Sequence, residues 1–248
     1  MEFFPTDART VIVTGGASGI GRAACGVLAR EGFRVAVADR DAAGAAAVAR
    51  EVDGLAFTVD VGEEASVAAL FADATAAFGG RLDALATSAG IADTTAFLDL
   101  DVAAFRRVHE VNVIGTFLCI REAAKRMRPG ARICTVASVA GKRGGGLSGT
   151  AAYAASKGGV LALSRSAARA LAPLGIAVNC VAPGPTDTPM LAEPYRDPEH
   201  RRRVEAATLL GRSAAADEIA EAIAWLLSPR ASFVLGETLT VDGGLMLD

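Results

Sequence analysis

The feature that most constrains this chain is an alternation sustained along its length. Short apolar, β-branched runs recur, and each is followed by a longer stretch of helical period. The pattern predicts strands at 10–14, 33–38, 55–59, 82–87, 132–137, 176–181 and 238–241. Helices are expected from the first glycine-rich turn to about Gly32, then over 41–50, 63–78, 101–127, 150–172 and 215–227. Strands and helices that alternate this regularly imply parallel strands with right-handed crossovers and helices on both faces. The expected fold is α/β: a doubly wound, mostly parallel sheet of about seven strands. No composition break or linker divides the chain, so 1–248 is read as one domain. The stretch 185–211 departs from the pattern. It is rich in proline and charge and lacks a clear period, as expected of a functional lid.

Composition narrows the function classes. With 52% hydrophobic residues the chain is not intrinsically disordered. Its longest uncharged run, 170–186, carries Pro173, Gly175, Pro183, Gly184 and Pro185, which excludes a spanning helix there. A net charge of −3 gives no electrostatic case for nucleic acid or an anionic membrane surface. Aromatic residues, at 5%, are too few for base-stacking platforms. Cys25, Cys119, Cys134 and Cys180 form no C-x-x-C pair, and His109 and His200 are the two histidines. No metal site is expected, and the thiols read as buried and reduced. The N-terminal Met1-Glu2-Phe3-Phe4-Pro5 has neither a basic stretch nor a long apolar core, so no signal peptide and a cytoplasmic location are expected.

After the first strand the chain reads Thr14-Gly15-Gly16-Ala17-Ser18-Gly19-Ile20-Gly21. Glycines permit a tight turn and a close backbone approach to phosphate, and the helix that follows points free N–H groups at the anion. Gly15, Ser18, Gly19, Ile20 and Gly21 are therefore candidate cofactor contacts. Asp39 ends the second strand 18 residues beyond Gly21, near the roughly 20-residue offset of a ribose-binding carboxylate. A carboxylate there accepts from both ribose hydroxyls and repels a 2′-phosphate, which favours NAD over NADP. Arg40 beside it weighs the other way.

Tyr153 and Lys157 stand at i,i+4 on one helix face. The chain has two tyrosines and three lysines, so chance placement at this spacing is about 0.02. An ammonium beside a phenol favours the phenolate and is expected to lower the tyrosine pKa, fitting Tyr153 for proton transfer. On spacing alone, a packed aromatic beside a solvated lysine weighs equally.

Thr14-Gly15 with Gly19 and Gly21, then Asp39, Asn112, Ser138, Tyr153 with Lys157, and Pro183-Gly184, occur in one order. Together with Val241-Asp242-Gly243-Gly244 they resemble the short-chain dehydrogenase/reductase family over nearly the whole chain. The resemblance implies a single-domain Rossmann fold, a nicotinamide cofactor and a Ser-Tyr-Lys site helped by an asparagine. It implies Tyr153 as general acid/base and Lys157 as its pKa-lowering neighbour and a ligand of the nicotinamide ribose. It further implies Ser138 on the substrate oxygen and Asn112 seating a proton-relay water. Asp60 and Val61 resemble the adenine-binding pair. Pro183, Gly184, Thr186 and Thr188 resemble the segment that holds the carboxamide.

Two departures stand out. Thr87-Ser88-Ala89-Gly90 replaces the family's usual Asn-Asn-Ala-Gly; Ala89 and Gly90 still allow cofactor approach, while the asparagine's amide bonds are lost or remade by Ser88. The segment from Ser138 to Tyr153 is about two residues longer than usual. The extra length falls at Lys142-Arg143-Gly144-Gly145-Gly146, where the two cations read either as anion contacts or, with more weight, as solvated charges.

The expected function is NAD-dependent interconversion of a secondary alcohol and its ketone. One alternative is a 3-oxoacyl-[acyl-carrier-protein] reductase using NADPH, which Asp39 disfavours. Another is a catalytically silent NAD-binding regulator, which the presence of Asn112, Ser138, Tyr153 and Lys157 disfavours. Substrate choice is assigned to the lid, to Ala92-Asp93-Thr94 and to the loop 144–150. The helices at 101–127 and 150–172 carry more apolar residues than one sheet face needs, Leu245-Met246-Leu247 is likewise apolar, and the resemblance implies pairing of these helices across a two-fold axis in a homotetramer.

Overall fold

The computed structural model describes residues 8–145 and 151–247. Glycines 144 and 145 of the predicted substrate loop are described; 146–150 lie outside the described residues.

The chain opens with β1 (Arg9–Thr14), α1 (Gly19–Arg30), β2 (Phe33–Asp39), α2 (Ala42–Glu51), β3 (Leu55–Thr58) and α3 (Glu64–Ala77). It continues with β4 (Ala84–Thr87), α4 (Val102–His109), α5 (Gly115–Ala124), β5 (Arg132–Val136), α6 (Ala140–Arg143), α7 (Ala151–Leu171) and β6 (Ala177–Pro183). The last part holds β7 (Thr186–Asp187), α8 (Pro189–Ala192), α9 (Pro198–Ala206), β8 (Ala214–Ala215), α10 (Ala216–Leu227) and β9 (Thr238–Val241). The strands form a seven-stranded parallel sheet in the order β3-β2-β1-β4-β5-β6-β9. Strands buried on both faces explain the near-continuous apolar runs that betrayed them in the sequence.

The pleat divides β1 between two cores. Val11 and Val13 pack with Cys25 and Leu28 of α1, Val48 of α2 and Ile219 and Ile223 of α10. Ile12 faces the opposite layer, with Phe71 of α3, Leu118 of α5 and Ala167 of α7. The four cysteines are free and buried, as expected, and burial pushes Cys25 and Cys119 up to about 12. Among the described residues no helix is long and apolar enough to cross a membrane.

Three expectations need correction. The helix expected over 101–127 runs from Val102 to Ala124 but is not α-helical throughout: a π-helical turn, Glu110–Ile114, joins α4 to α5. The stretch 185–211 is not structureless. It contains β7, α8, a short 3₁₀ turn and α9, and β7 pairs with β8 in a small parallel ribbon. Asp197 caps α9 by accepting from the Glu199 N–H, with Pro198 at the first position. Finally, the lengthened segment after Ser138 is not all loop: α6 (Ala140–Arg143) starts two residues on and is capped by Gly144, whose φ of +81° suits glycine.

Candidate active site

Between β1 and β4 the strand order reverses, and a cleft opens at the carboxyl ends of the strands. Its volume is about 390 Å³, in the range of ligand sites.

One end of the cleft is built on the glycine turn. Gly15 adopts φ +69°, and a side chain there would place Cβ 2.6 Å from the Ala89 nitrogen. The turn and the loop after β4 are thus pressed backbone to backbone. Gly21 does not line the cleft as expected; any Cβ there would collide with the Gly15 carbonyl, so its role is to let α1 close on the turn. Asp39 Oδ2 accepts from the Ala17 N–H at 3.0 Å, and Oδ1 from the Asp41 N–H at 3.0 Å. These bonds aim the carboxylate at the turn beside Arg40, and both residues line the cleft. Asp60 accepts from the Gly62 N–H at 2.9 Å and pairs with Arg107 at 3.6 Å. Arg107 is a cleft residue that the sequence reading missed, because Arg106-Arg107 looks like any exposed basic pair. Ser18, Ile20, Val61, Ser88, Ala89 and Gly90 also line this wall.

The lid begins across the turn. A Cβ on Gly19 would lie 3.4 Å from the Thr188 side chain. Thr186 Oγ1 donates to the Gly184 carbonyl at 3.0 Å, and the Gly184 N–H donates to Val241 at 2.9 Å. Pro183, Gly184, Thr186 and Thr188 all face the cleft.

The other end holds the polar constellation. Ser138 stands just beyond β5, where its Oγ accepts from the Ala140 N–H at 3.1 Å. Tyr153 and Lys157 project from α7. Lys157 is buried, and its Nζ donates to the Val136 carbonyl at 2.8 Å. Asn112 is fully buried behind the cleft rather than lining it. Its Nδ2 donates to Ile91 O and to Ser156 Oγ, both at 2.9 Å, and its Oδ1 accepts from the Ile91 N–H at 2.9 Å. Ser156 Oγ in turn donates to the Tyr153 carbonyl at 2.7 Å. One asparagine therefore ties the loop after β4 to the helix that carries Tyr153. The π turn is where it sits, and Thr116 Oγ1 donates to the Asn112 carbonyl at 2.7 Å. A Cβ on Gly90 would fall 3.3 Å from Asn112 Oδ1 and 3.4 Å from Lys157 Nζ, so glycine allows these groups to converge.

The electrostatics differ from the expectation. Burial pushes Lys157 down to about 8. Burial also holds Tyr153 above its ordinary range, opposed by a hydrogen bond with Ser138. The Lys157 ammonium lies 5.7 Å from the Tyr153 ring centroid and is directed to the Val136 carbonyl.

The departures in the loop after β4 also resolve. The Ser88 N–H donates to Thr14 O at 3.0 Å, but its hydroxyl replaces none of the missing amide bonds among the described residues. The hydroxyls of the paired Thr14 and Thr87 are buried without hydrogen-bond partners among the described residues. Lys142 and Arg143 part ways: Lys142 Nζ donates to Thr240 Oγ1 at 2.7 Å, whereas Arg143 lines the cleft.

A family profile described as enoyl-(acyl carrier protein) reductase matches residues 15–246. The chain is 45% identical over 244 residues to a cis-4-hydroxycyclohexanecarboxylate dehydrogenase of Sinomonas cyclohexanicum, covering 95% of this chain and 96% of that one. It is 39% identical over 243 residues to a cyclopentanol dehydrogenase of a Comamonas species, covering 95% and 96%. The crystal structure of a short-chain glucose/ribitol dehydrogenase from Brucella melitensis superimposes with a TM-score of 0.91 at 33% identity, covering 100% of both chains.

Proposed function

The chain belongs to the short-chain dehydrogenase/reductase family, and on that premise we propose that it is an NAD-dependent dehydrogenase of alicyclic secondary alcohols. Oxidoreductase action on a CH–OH donor follows from its relatives, which include dehydrogenases of cyclic alcohols. The single observation that carries the finer reading is one cleft in which the Asp39 carboxylate and the glycine turn meet Ser138, Tyr153 and Lys157.

The residues fit a nicotinamide dinucleotide. Gly15 and Gly21 hold the turn tight, since a side chain on either would strike backbone, and α1 opens from it with Ser18 making no side-chain cap. In this reading Asp39 holds the adenosine ribose while Asp60 and Val61 hold the adenine. Gly15, Ser18, Gly19 and Ile20 receive the pyrophosphate, and Tyr153 and Lys157 the nicotinamide ribose. Pro183, Gly184, Thr186 and Thr188 hold the carboxamide end, with Ser88, Ala89 and Gly90 beneath. When bound, the dinucleotide supplies the hydride acceptor.

The chain's own groups handle the proton. Ser138 Oγ donates to the substrate oxygen and steadies charge that develops there. Tyr153 Oη takes the hydroxyl proton as general base and returns it in the reverse direction. A charged Lys157 offsets the cost of forming a buried phenolate. Asn112 fixes the Tyr153 backbone through Ser156 and so holds the phenol in place. The apolar side chains Ile91, Met190, Leu191 and Val204 give the substrate end a hydrocarbon lining suited to a ring.

In the same reading the whole chain acts as one dinucleotide-binding and catalytic unit in the cytoplasm, with 185–211 closing over the substrate. It assembles as a homotetramer, supported by Val102, Phe105, Ile114 and Phe117, which are exposed on one continuous α4–α5 segment. The longer helix α7 contributes no large exposed apolar side chain, so the surplus expected on both helices lies on one.

The test is oxidation of cyclopentanol and substituted cyclohexanols with each nucleotide. NAD should exceed NADP at least tenfold in kcat/KM, about 1.4 kcal/mol of discrimination. Equal turnover with NADP would overturn the Asp39 assignment, and failure to bind NADH would overturn the enzyme reading.

A further inference from the structure

Arg143 is the last residue of α6, one short helix after Ser138, and its side chain lines the same cleft as Ser138 and Tyr153. Many arginines of this chain pair with carboxylates: Arg22 with Glu51, Arg81 with Asp83, Arg107 with Asp60, Arg212 with Glu218. Arg143 has no ion pair or side-chain hydrogen bond among the described residues. Its neighbour Lys142 is turned away to Thr240, outside the cleft lining. The fork of Lys142 and Arg143 thus directs one cation to β9 and the other to the cleft.

The distribution of charge along the cleft sharpens the point. Its carboxylates are Asp39 and Asp60, both engaged at the adenosine end. At the other end the described lining is apolar or neutral apart from Lys157, which is committed to the Val136 carbonyl, and Arg143. A hydrocarbon wall with one uncommitted guanidinium is a recognition surface for an apolar body that carries an anion. A guanidinium presents paired N–H donors that match a carboxylate in a bidentate bond.

Resting on the dehydrogenase reading above, we infer that the substrate is an alicyclic hydroxy acid whose carboxylate is held by Arg143 while its hydroxyl meets Ser138 and Tyr153. Arg143 is a specificity residue and takes no part in the proton transfer.

Calorimetric titration of the protein with NADH tests this without turnover, using cyclohexanecarboxylate and its neutral counterpart cyclohexanecarboxamide. The wild type should bind the carboxylate more tightly by roughly ten- to hundredfold. Arg143→Gln should abolish that preference, leave carboxamide binding unchanged and keep the far-ultraviolet circular dichroism of the wild type. Arg143→Lys should restore part of it, and Lys142→Ala should leave it intact. With a hydroxycyclohexanecarboxylate as substrate, Arg143→Gln should raise KM by a similar factor and change kcat little. Carboxylate preference that survives Arg143→Gln, or no preference in the wild type, overturns the inference. Arg143-dependent carboxylate binding without oxidation of any hydroxy acid would instead overturn the dehydrogenase reading and leave the anion site standing.

Discussion

Two buried groups with opposed tendencies define the chemistry at the residue scale. Tyr153 is held neutral by burial, and Lys157 is brought down to about 8 by the same cause. Tyr153→Phe removes the proton acceptor and keeps the ring. It should lower kcat by roughly 10²–10⁴ and leave NADH affinity nearly unchanged, as stopped-flow turnover and fluorescence titration can check. A variant that kept more than about a tenth of wild-type kcat would move the base elsewhere. Oxidation of the alcohol should rise with pH across the region around 8, with an apparent pKa that belongs to the Tyr153 and Lys157 pair jointly. Stability carries its own signature. Lys157 ordinarily titrates at 10.5, so between about 8 and 10.5 the unfolded chain binds the extra proton. The penalty of burying this ammonium is present below 8 and is relieved as pH rises. Urea midpoints on either side of 8 should show this gain in the wild type and lack it in Lys157→Met.

The glycine turn and the lid make opposite demands at the scale of elements. In the turn, no atom has room to be added: Gly21→Ala must displace the Gly15 carbonyl. It should cost about 1–3 kcal/mol in thermal unfolding and weaken NADH binding as the cradle widens. In the lid, α8 and the 3₁₀ turn after it bury no residue, and α9 buries Val204 alone. Limited proteolysis of the apo protein should therefore cut first within 190–203, and NADH should slow it; first cuts elsewhere would refute the lid. The same contrast explains what the sequence could disclose. Strands such as β1 were legible because both faces are buried, and Tyr153 with Lys157 because two scarce residues share a helix face. The α9 helix was not, since one buried valine leaves no apolar stripe and its Asp197-Pro198 start is the sole local cue. The π turn at Asn112 was hidden because apolar residues continue through it at helical spacing. The outward turn of Lys142 depends on Thr240, about a hundred residues away, which no local pattern encodes.

For the whole molecule, the exposed apolar side chains of α4 and α5 are the best candidates for a subunit contact, with Phe97 and Leu98 just before them 78% and 93% exposed. Light scattering at micromolar concentration should give four times the 25.2 kDa chain mass; a monomer would refute the assembly. The layer between α1 and α10 has a consequence of another kind. Ala24, Cys25 and Leu28, near the beginning, share their core with Ile219, Ile223 and Leu226, near the end. The wall behind the glycine turn is therefore made of two segments that lie about two hundred residues apart and are synthesised at different times. Until translation passes residue 227, the nascent protein carries α1 with its apolar face bare, so every synthesis runs through an interval in which solubility depends on delay, on chaperones, or on speed.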